Sequence, residues 1–196
     1  AKFKIPLIVR NTFNPQHEIG TKIMKFEDAQ VLEAAVVSGV TVDKNIDSLK
    51  IDKIKGNPST CISDVFALLA KNGINVDIIV HNQSTSQNNT RIGFTLSTGE
   101  LGNAIDSVQA LKSLPAFENM QVEREDHLAK VSVVGLGMVS HPGVASRLFS
   151  ALDRSGINIH MISTSEIKIS CVIDLEKADK AVEVIHDEFR ASLAPE

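Results

Sequence analysis

FALLAKNGINVDI (residues 66–78) and FSALDRSGINIHM (residues 149–161) are one phrase written twice, 83 positions apart. Gly73 takes the place of Gly156, and Asn75 that of Asn158. Each phrase joins the end of an amphipathic helix to a glycine stop and then to a β-branched run, so a whole helix-to-strand junction recurs. Two homologous units of about 80 residues follow, behind a segment of about 35 residues that matches neither.

The elements on either side of the phrase come in the same order. In the first unit Leu49–Ile54 alternates as a strand. The turn Asn57-Pro58-Ser59-Thr60 then supplies cap chemistry for a helix whose apolar residues Ile62, Val65, Phe66 and Leu69 share one face, and Gly73 ends it. Ile74–Val80 and Arg91–Leu96 read as strands around the polar hairpin Ser84–Thr90, followed by a helix carrying Ile105, Val108 and Leu111 and by a strand over Phe117–Glu123. In the second unit Ala129–Val134 is a strand, Gly135–His141 a turn, and Pro142 opens a helix that Gly156 closes. Ile157–Ser163 and Ile167–Ile173 are strands, and Ala178, Ala181, Val182, Ile185 and Phe189 mark the last helix.

The order βαββα in both units, with a further strand in the first, is that of an α+β ferredoxin-like (βαββαβ) fold: antiparallel sheets with helices on one face. The second unit lacks a final strand, because Arg190–Glu196 is short and holds Pro195. Ala34–Val42 (AAVVSGVTV) is expected to complete its sheet, although chain distance alone would equally allow Phe117–Glu123. The expected division is 34–44 for the lent strand, 45–125 for the first unit and 126–196 for the second.

A chain of 196 residues with 43% hydrophobic and 22% charged residues is globular in composition, neither disordered nor collagenous. No apolar run approaches the roughly 18 residues of a membrane span and no secretory leader is read, so the cytoplasm is the expected compartment, with no membrane partner. The formal charge of −4 comes with no basic block, which argues against nucleic acid. Cys61 and Cys171 form no CxxC pair, so neither a disulfide framework nor a zinc site is expected; Cys61, near a helix start, is expected to have a modestly lowered pKa. His17, His81, His127, His141, His160 and His186 show no i, i+4 pair, which argues against a metal or acid-base centre. Gly135-Leu136-Gly137 begins like a dinucleotide fingerprint, but Ser140 stands at the third glycine position.

The runs NGINVDIIVHNQS, VSVVGLGMVSHPGVASRLFSAL and INIHMISTSEIKISCVID resemble the tandem ACT domains at the regulatory end of aspartate kinases, over about residues 30–190. IPLIVRNTFNPQHEI (residues 5–19) with Gly20-Thr21 resembles the closing strand of that family's catalytic domain, which makes 1–33 a catalytic-domain remnant plus linker. The family's Lys-Phe-Gly-Gly phosphate signature has no counterpart, and no Walker-type loop replaces it. The resemblance implies a regulatory fragment, a separately produced small subunit or a chain trimmed for study, non-catalytic on its own and without a cofactor. ATP and magnesium would belong to the missing catalytic domain. The implied partners are a second copy of the chain in a homodimer, a kinase catalytic domain or subunit, and lysine and/or threonine as feedback effector. An ACT dimerisation module without effector, or a sensor on another amino-acid biosynthetic enzyme, is the alternative.

The resemblance also carries over effector-binding residues. In the first unit these are Asn57, Pro58, Ser59 and Thr60 at the strand-to-helix turn, with Asp77 and His81 beside them. Asp77 would hold the effector's ammonium, and His81 stands where the family has Gln. The acidic residue that the family carries before Lys-Pro-Gly is replaced by Gly56 or Asn57. In the second unit they are Met138, His141, Gly143 and Ala145 around the equivalent turn and helix start, with Asn158, Ile159, Thr164 and Ser165. The two halves of the pocket are expected from different chains.

Overall fold

The computed structural model describes residues 7–9, 21–23, 36–84, 89–135, 138 and 141–190. Strands β1 (Leu7–Val9) and β2 (Thr21–Ile23) pair antiparallel with each other. Most of the 1–33 segment, including the rest of the strand read over 5–19, lies outside the described residues, as do Leu136, Gly137 and Ser140.

After these come β3 (Gly39–Lys55), α1 (Pro58–Lys71), β4 (Ile79–Ser84), β5 (Asn89–Ser97), α2 (Leu101–Gln109), β6 (Gln121–Val134), α3 (Val144–Arg154), β7 (Met161–Thr164), β8 (Lys168–Asp174) and α4 (Ala178–Phe189). The last six strands form one antiparallel sheet in the order β4-β5-β3-β6-β8-β7. Each half is the 2-3-1-4 arrangement of a ferredoxin-like unit, and β3 and β6 belong to both halves. Gly39–Asp43 of β3 pairs with Lys130–Val134 of the second unit, and Ser48–Asp52 pairs with Gln121–Glu125 of the first.

Two expected pairs of strands are thus single long ones. Residues 117–120 form a turn with Phe117 buried, and β6 starts only at Gln121. β4 begins at Ile79 rather than 74, β7 at Met161 rather than 157, and α3 at Val144, two residues after Pro142. The register of β3 on β6 shifts between Asp43 and Ile46 and again between Ile46 and Ser48, where His127 adopts a left-handed φ of 59°. Each bulge reverses the alternation of one strand, and both units therefore present their apolar positions to the same side of the sheet.

α1 forms because Pro58 opens it and Asn57 caps it, the Asn57 Oδ1 accepting from the N–H groups of Ser59 and Thr60 at 3.0 and 3.3 Å. It lays Cys61, Val65 and Leu69 on Leu49, Ile51, Ile92 and Phe94. In the second unit α3 and α4 lay Leu148, Leu152, Ala181, Ile185 and Phe189 on Val131, Val133, Ile169 and Cys171. Ile46, Ile78, Leu128, Met161 and Val172 form a third cluster on the helix-free face and join the two units there. Both cysteines are free and buried. Burial and the nearby Asp64 push the Cys61 thiol up, contrary to the lowering expected from its helix start, and burial pushes Cys171 up to about 12.

Candidate functional site

Directly opposed residues of antiparallel strands share a face, so the register spells out the surface that the helices leave open. One row runs Val80, Gly93, Lys50, Glu123 across β4, β5, β3 and β6. The next row toward the end of β3 contains Asn82 opposite Arg91 and Asp52 opposite Gln121. Residues Ile159, His160, Met161 and Ile162 of the second unit stand over these rows and close a cleft of about 400 Å³. Gly93 lets wall and floor approach: a Cβ there would lie 3.2 Å from the Met161 Cε and 3.6 Å from the Lys50 Cγ.

Ion pairs tie the units together beside this cleft. Glu125 accepts from Lys50 Nζ at 2.6 Å and from Ser48 Oγ at 3.2 Å, while the imidazole of His160 lies 2.8 Å from Asp174 and 3.7 Å from Glu125. Burial opposes ionisation of Glu125, but the Lys50 ammonium and the neighbouring donors hold its carboxyl below the usual range. Arg91 bonds Asp52 through two nitrogens and lowers that carboxyl as well. The largely buried Lys130 of β6 binds Asp77 of the first unit and lies 3.8 Å from Asp43. Among the described residues no group of His, Cys, Asp and Glu is arranged to hold a metal ion, and no helix is long and apolar enough to cross a membrane.

Within one chain the carried-over residues are dispersed. Asp77 N–H bonds the Thr95 carbonyl, and Thr95 pairs with Ser48, whereas Asn57 follows Lys55 at the other end of β3. That is seven strand residues from 48 to 55, roughly 20 Å, so Asp77 is not beside the Asn57–Thr60 turn. His81 lies midway along β4, exposed, opposite Ile92. The Asn57 side chain is committed to its cap, and the Asp77 carboxylate to Lys130.

The second-unit residues divide likewise. Thr164 and Ser165 share an end of the sheet with Met138, because Ser165 N–H bonds Lys168 and the Gly135 N–H bonds the Ile167 carbonyl, with Met138 stacked on Gly135 through a 3.4 Å bond. Gly143, with φ 103°, caps α3 at that same turn without a side-chain hydrogen bond; His141 is exposed and Ala145 half-buried. Asn158 and Ile159 lie at the opposite end of β7, where His160 N–H bonds Val172. Ile159 alone of the carried-over residues lines the cleft. Lys50, Arg91, Gly93, Glu123 and Met161 were not singled out from the sequence, although the alternation of Lys50 with Asp52, and of Glu123 with Glu125, was a period-2 signal of a polar strand face.

The ACT domain family matches residues 131–189. Aspartokinase 2 of Bacillus subtilis is 37% identical over 193 residues, which is 98% of this chain and 45% of that protein. A chain in the crystal structure of aspartokinase alpha and beta subunits superposes with a TM-score of 0.71 at 33% identity, over 79% of this chain and 99% of that one. The regulatory subunit of aspartate kinase from Thermus thermophilus, in its ligand-free form, superposes with a TM-score of 0.71 at 30% identity, again over 79% and 99%. The chain spans less than half the length of the curated relatives it matches.

Proposed function

The chain belongs to the aspartokinase family, and from that premise we propose that it is an allosteric regulatory module that binds lysine and/or threonine and imposes feedback inhibition on an aspartate kinase in the cytoplasm. The observation that carries this reading is the sharing of β3 and β6 by both units, since a ligand that shifts one unit must move strands that also build the other. Coupling of about 1 to 3 kcal/mol is enough for such regulation.

The working form in this reading is a homodimer. β4 and β7 are the edges of the six-stranded sheet, and Ile79 on the first and Ile162 on the second are 50% and 44% exposed. Of the carried-over residues, the Asn57–Thr60 turn of one chain would meet Thr164 and Ser165 of its partner, with Met138, His141, Gly143 and Ala145 forming the equivalent turn, while Asp77 with His81, and Asn158 with Ile159, stand away from these turns within their own chains. A kinase catalytic domain or subunit is the partner that reads the dimer. In this reading ATP and magnesium are bound by that catalytic partner.

Calorimetry of the purified chain against lysine and threonine, with sedimentation of the same samples, tests this. Saturable heat with at least one of them and a dimeric boundary is the expected result. A dimer that binds neither is an effector-independent dimerisation module, and saturation by a different amino acid makes the chain the sensor of another biosynthetic enzyme.

A further inference from the structure

The cleft between the units holds an imbalance of charge. Lys50 is neutralised by Glu125 and Arg91 by Asp52, whereas the carboxylate of Glu123, exposed on the cleft floor, has neither hydrogen bond nor ion pair among the described residues and feels Arg91 only at longer range. An ammonium group would balance it. Lys50 and Arg91 still have donors to spare, because an ammonium has three N–H groups and a guanidinium five. Their remaining N–H groups face a carboxylate entering the same cleft. Val80, Ile159, Met161 and Ile162 supply an apolar wall between and above these charges.

We propose that this cleft is a second ligand site, built within a single chain, for an α-amino acid with an aliphatic or amine-tipped side chain. The ammonium binds Glu123, the carboxylate takes the free N–H groups of Lys50 and Arg91, and the side chain lies along Met161 and Ile162. The volume of about 400 Å³ is within the range of small-molecule sites. Floor and wall come from different units, so an occupant fixes their separation, while Gly93 lets the Met161 side chain lie against the floor, where a larger side chain would push that wall away. The inference rests on the proposed function for the class of ligand alone; the location is separate from the turn-and-edge pocket assigned there to two chains.

The experiment is calorimetry of the purified chain with each of the twenty amino acids, repeated on Glu123→Gln, Gly93→Val and Ser165→Phe, with circular dichroism to verify folding. Glu123→Gln is exposed and decides alone if Gly93→Val does not fold. The expected result is two classes of site, one weakened about tenfold or more by Glu123→Gln and by Gly93→Val, the other by Ser165→Phe only. Binding lost in Ser165→Phe and unchanged in the two cleft variants overturns the cleft site and leaves the two-chain pocket standing. The reverse pattern supports the cleft and removes that pocket. A wild-type chain that binds none of the twenty overturns both.

Discussion

The backbone of Gly135 passes so close to Val36 that a Cβ on the glycine would lie 2.1 Å from the Val36 carbonyl oxygen and 2.8 Å from the Val37 Cα. This contact seats the run into β3 against the end of β6, where Ser38 N–H also bonds the Val134 carbonyl at 2.7 Å. Backbone cannot swing aside as a flexible side chain can. Gly135→Ala is expected to cost about 3 kcal/mol in urea unfolding, and Gly102→Ala, with open space around it, to change stability by less than about 0.5 kcal/mol.

Asp77 and Lys130 join the units across 53 positions of sequence. Asp77→Asn and Lys130→Met are each expected to destabilise the fold by about 1 kcal/mol or less, since Asp77 is half-exposed and Lys130 keeps Asp43 at 3.8 Å, and the double variant by less than their sum. A double-mutant cycle by chemical denaturation measures the coupling, and strict additivity would refute the latch.

Ser165 is exposed at the lip of the hairpin, its Oγ only 3.4 Å from the Lys168 carbonyl. Ser165→Phe is expected to keep the circular dichroism and thermal midpoint of the parent while weakening binding of lysine or threonine about tenfold or more, as a bulky ring in a shared pocket must. Unchanged titration heats would remove Ser165 from the site.

Glu188 of α4 takes Arg147 at 2.9 Å and Arg154 at 2.7 Å, both on α3, and the Arg147 guanidinium also lies 4.6 Å over the Phe189 ring. The hydrogen bond from Arg147 is the largest influence and, with the bond from Arg154 and the two positive charges, holds the Glu188 carboxyl below its ordinary 4.5 against the opposing effect of burial. A carboxyl depressed in the folded state contributes stability above its unfolded pKa and loses it as pH falls through the folded value. Thermal melts should therefore find Glu188→Gln less stable at neutral pH, by no more than about 1 kcal/mol because both arginines are solvent-screened. The two curves should converge at acid pH, once the folded-state carboxyl is protonated.

Neither thiol should behave as a reactive cysteine. With Cys171 pushed up to about 12 and Cys61 also raised, the thiolate is scarce and the sulfur covered. Iodoacetamide at mildly alkaline pH should leave the folded chain unmodified by mass spectrometry and label both positions in urea. Rapid labelling of native Cys61 would contradict its burial.

The repeat of Gly73-Ile74-Asn75 in Gly156-Ile157-Asn158, the helix faces of Val65 and Leu69 and of Ala181 and Ile185, and the Asn57 cap were all legible, because periodicity, stop signals and caps act within a turn or two of chain. The candidate site was less so. Turn residues such as Asn57 and Gly143 could be picked out by type, but their distance from Asp77 or Asn158 depends on which end of a strand each occupies, and strand ends are read least well.

By itself, then, the sequence determined two homologous α+β units, their helix faces and the family resemblance, since each of these is written in local spacing or in direct likeness. Tertiary structure alone decided that 39–43 and 46–55 are one strand and that 121–125 and 128–134 are another, that Lys130 occupies Asp77, and that Glu123 faces Met161 over a cleft. Those relations are fixed by register summed across a bulged sheet, where one extra residue near His127 turns every later side chain to the other face, and no spacing along the chain carries that information.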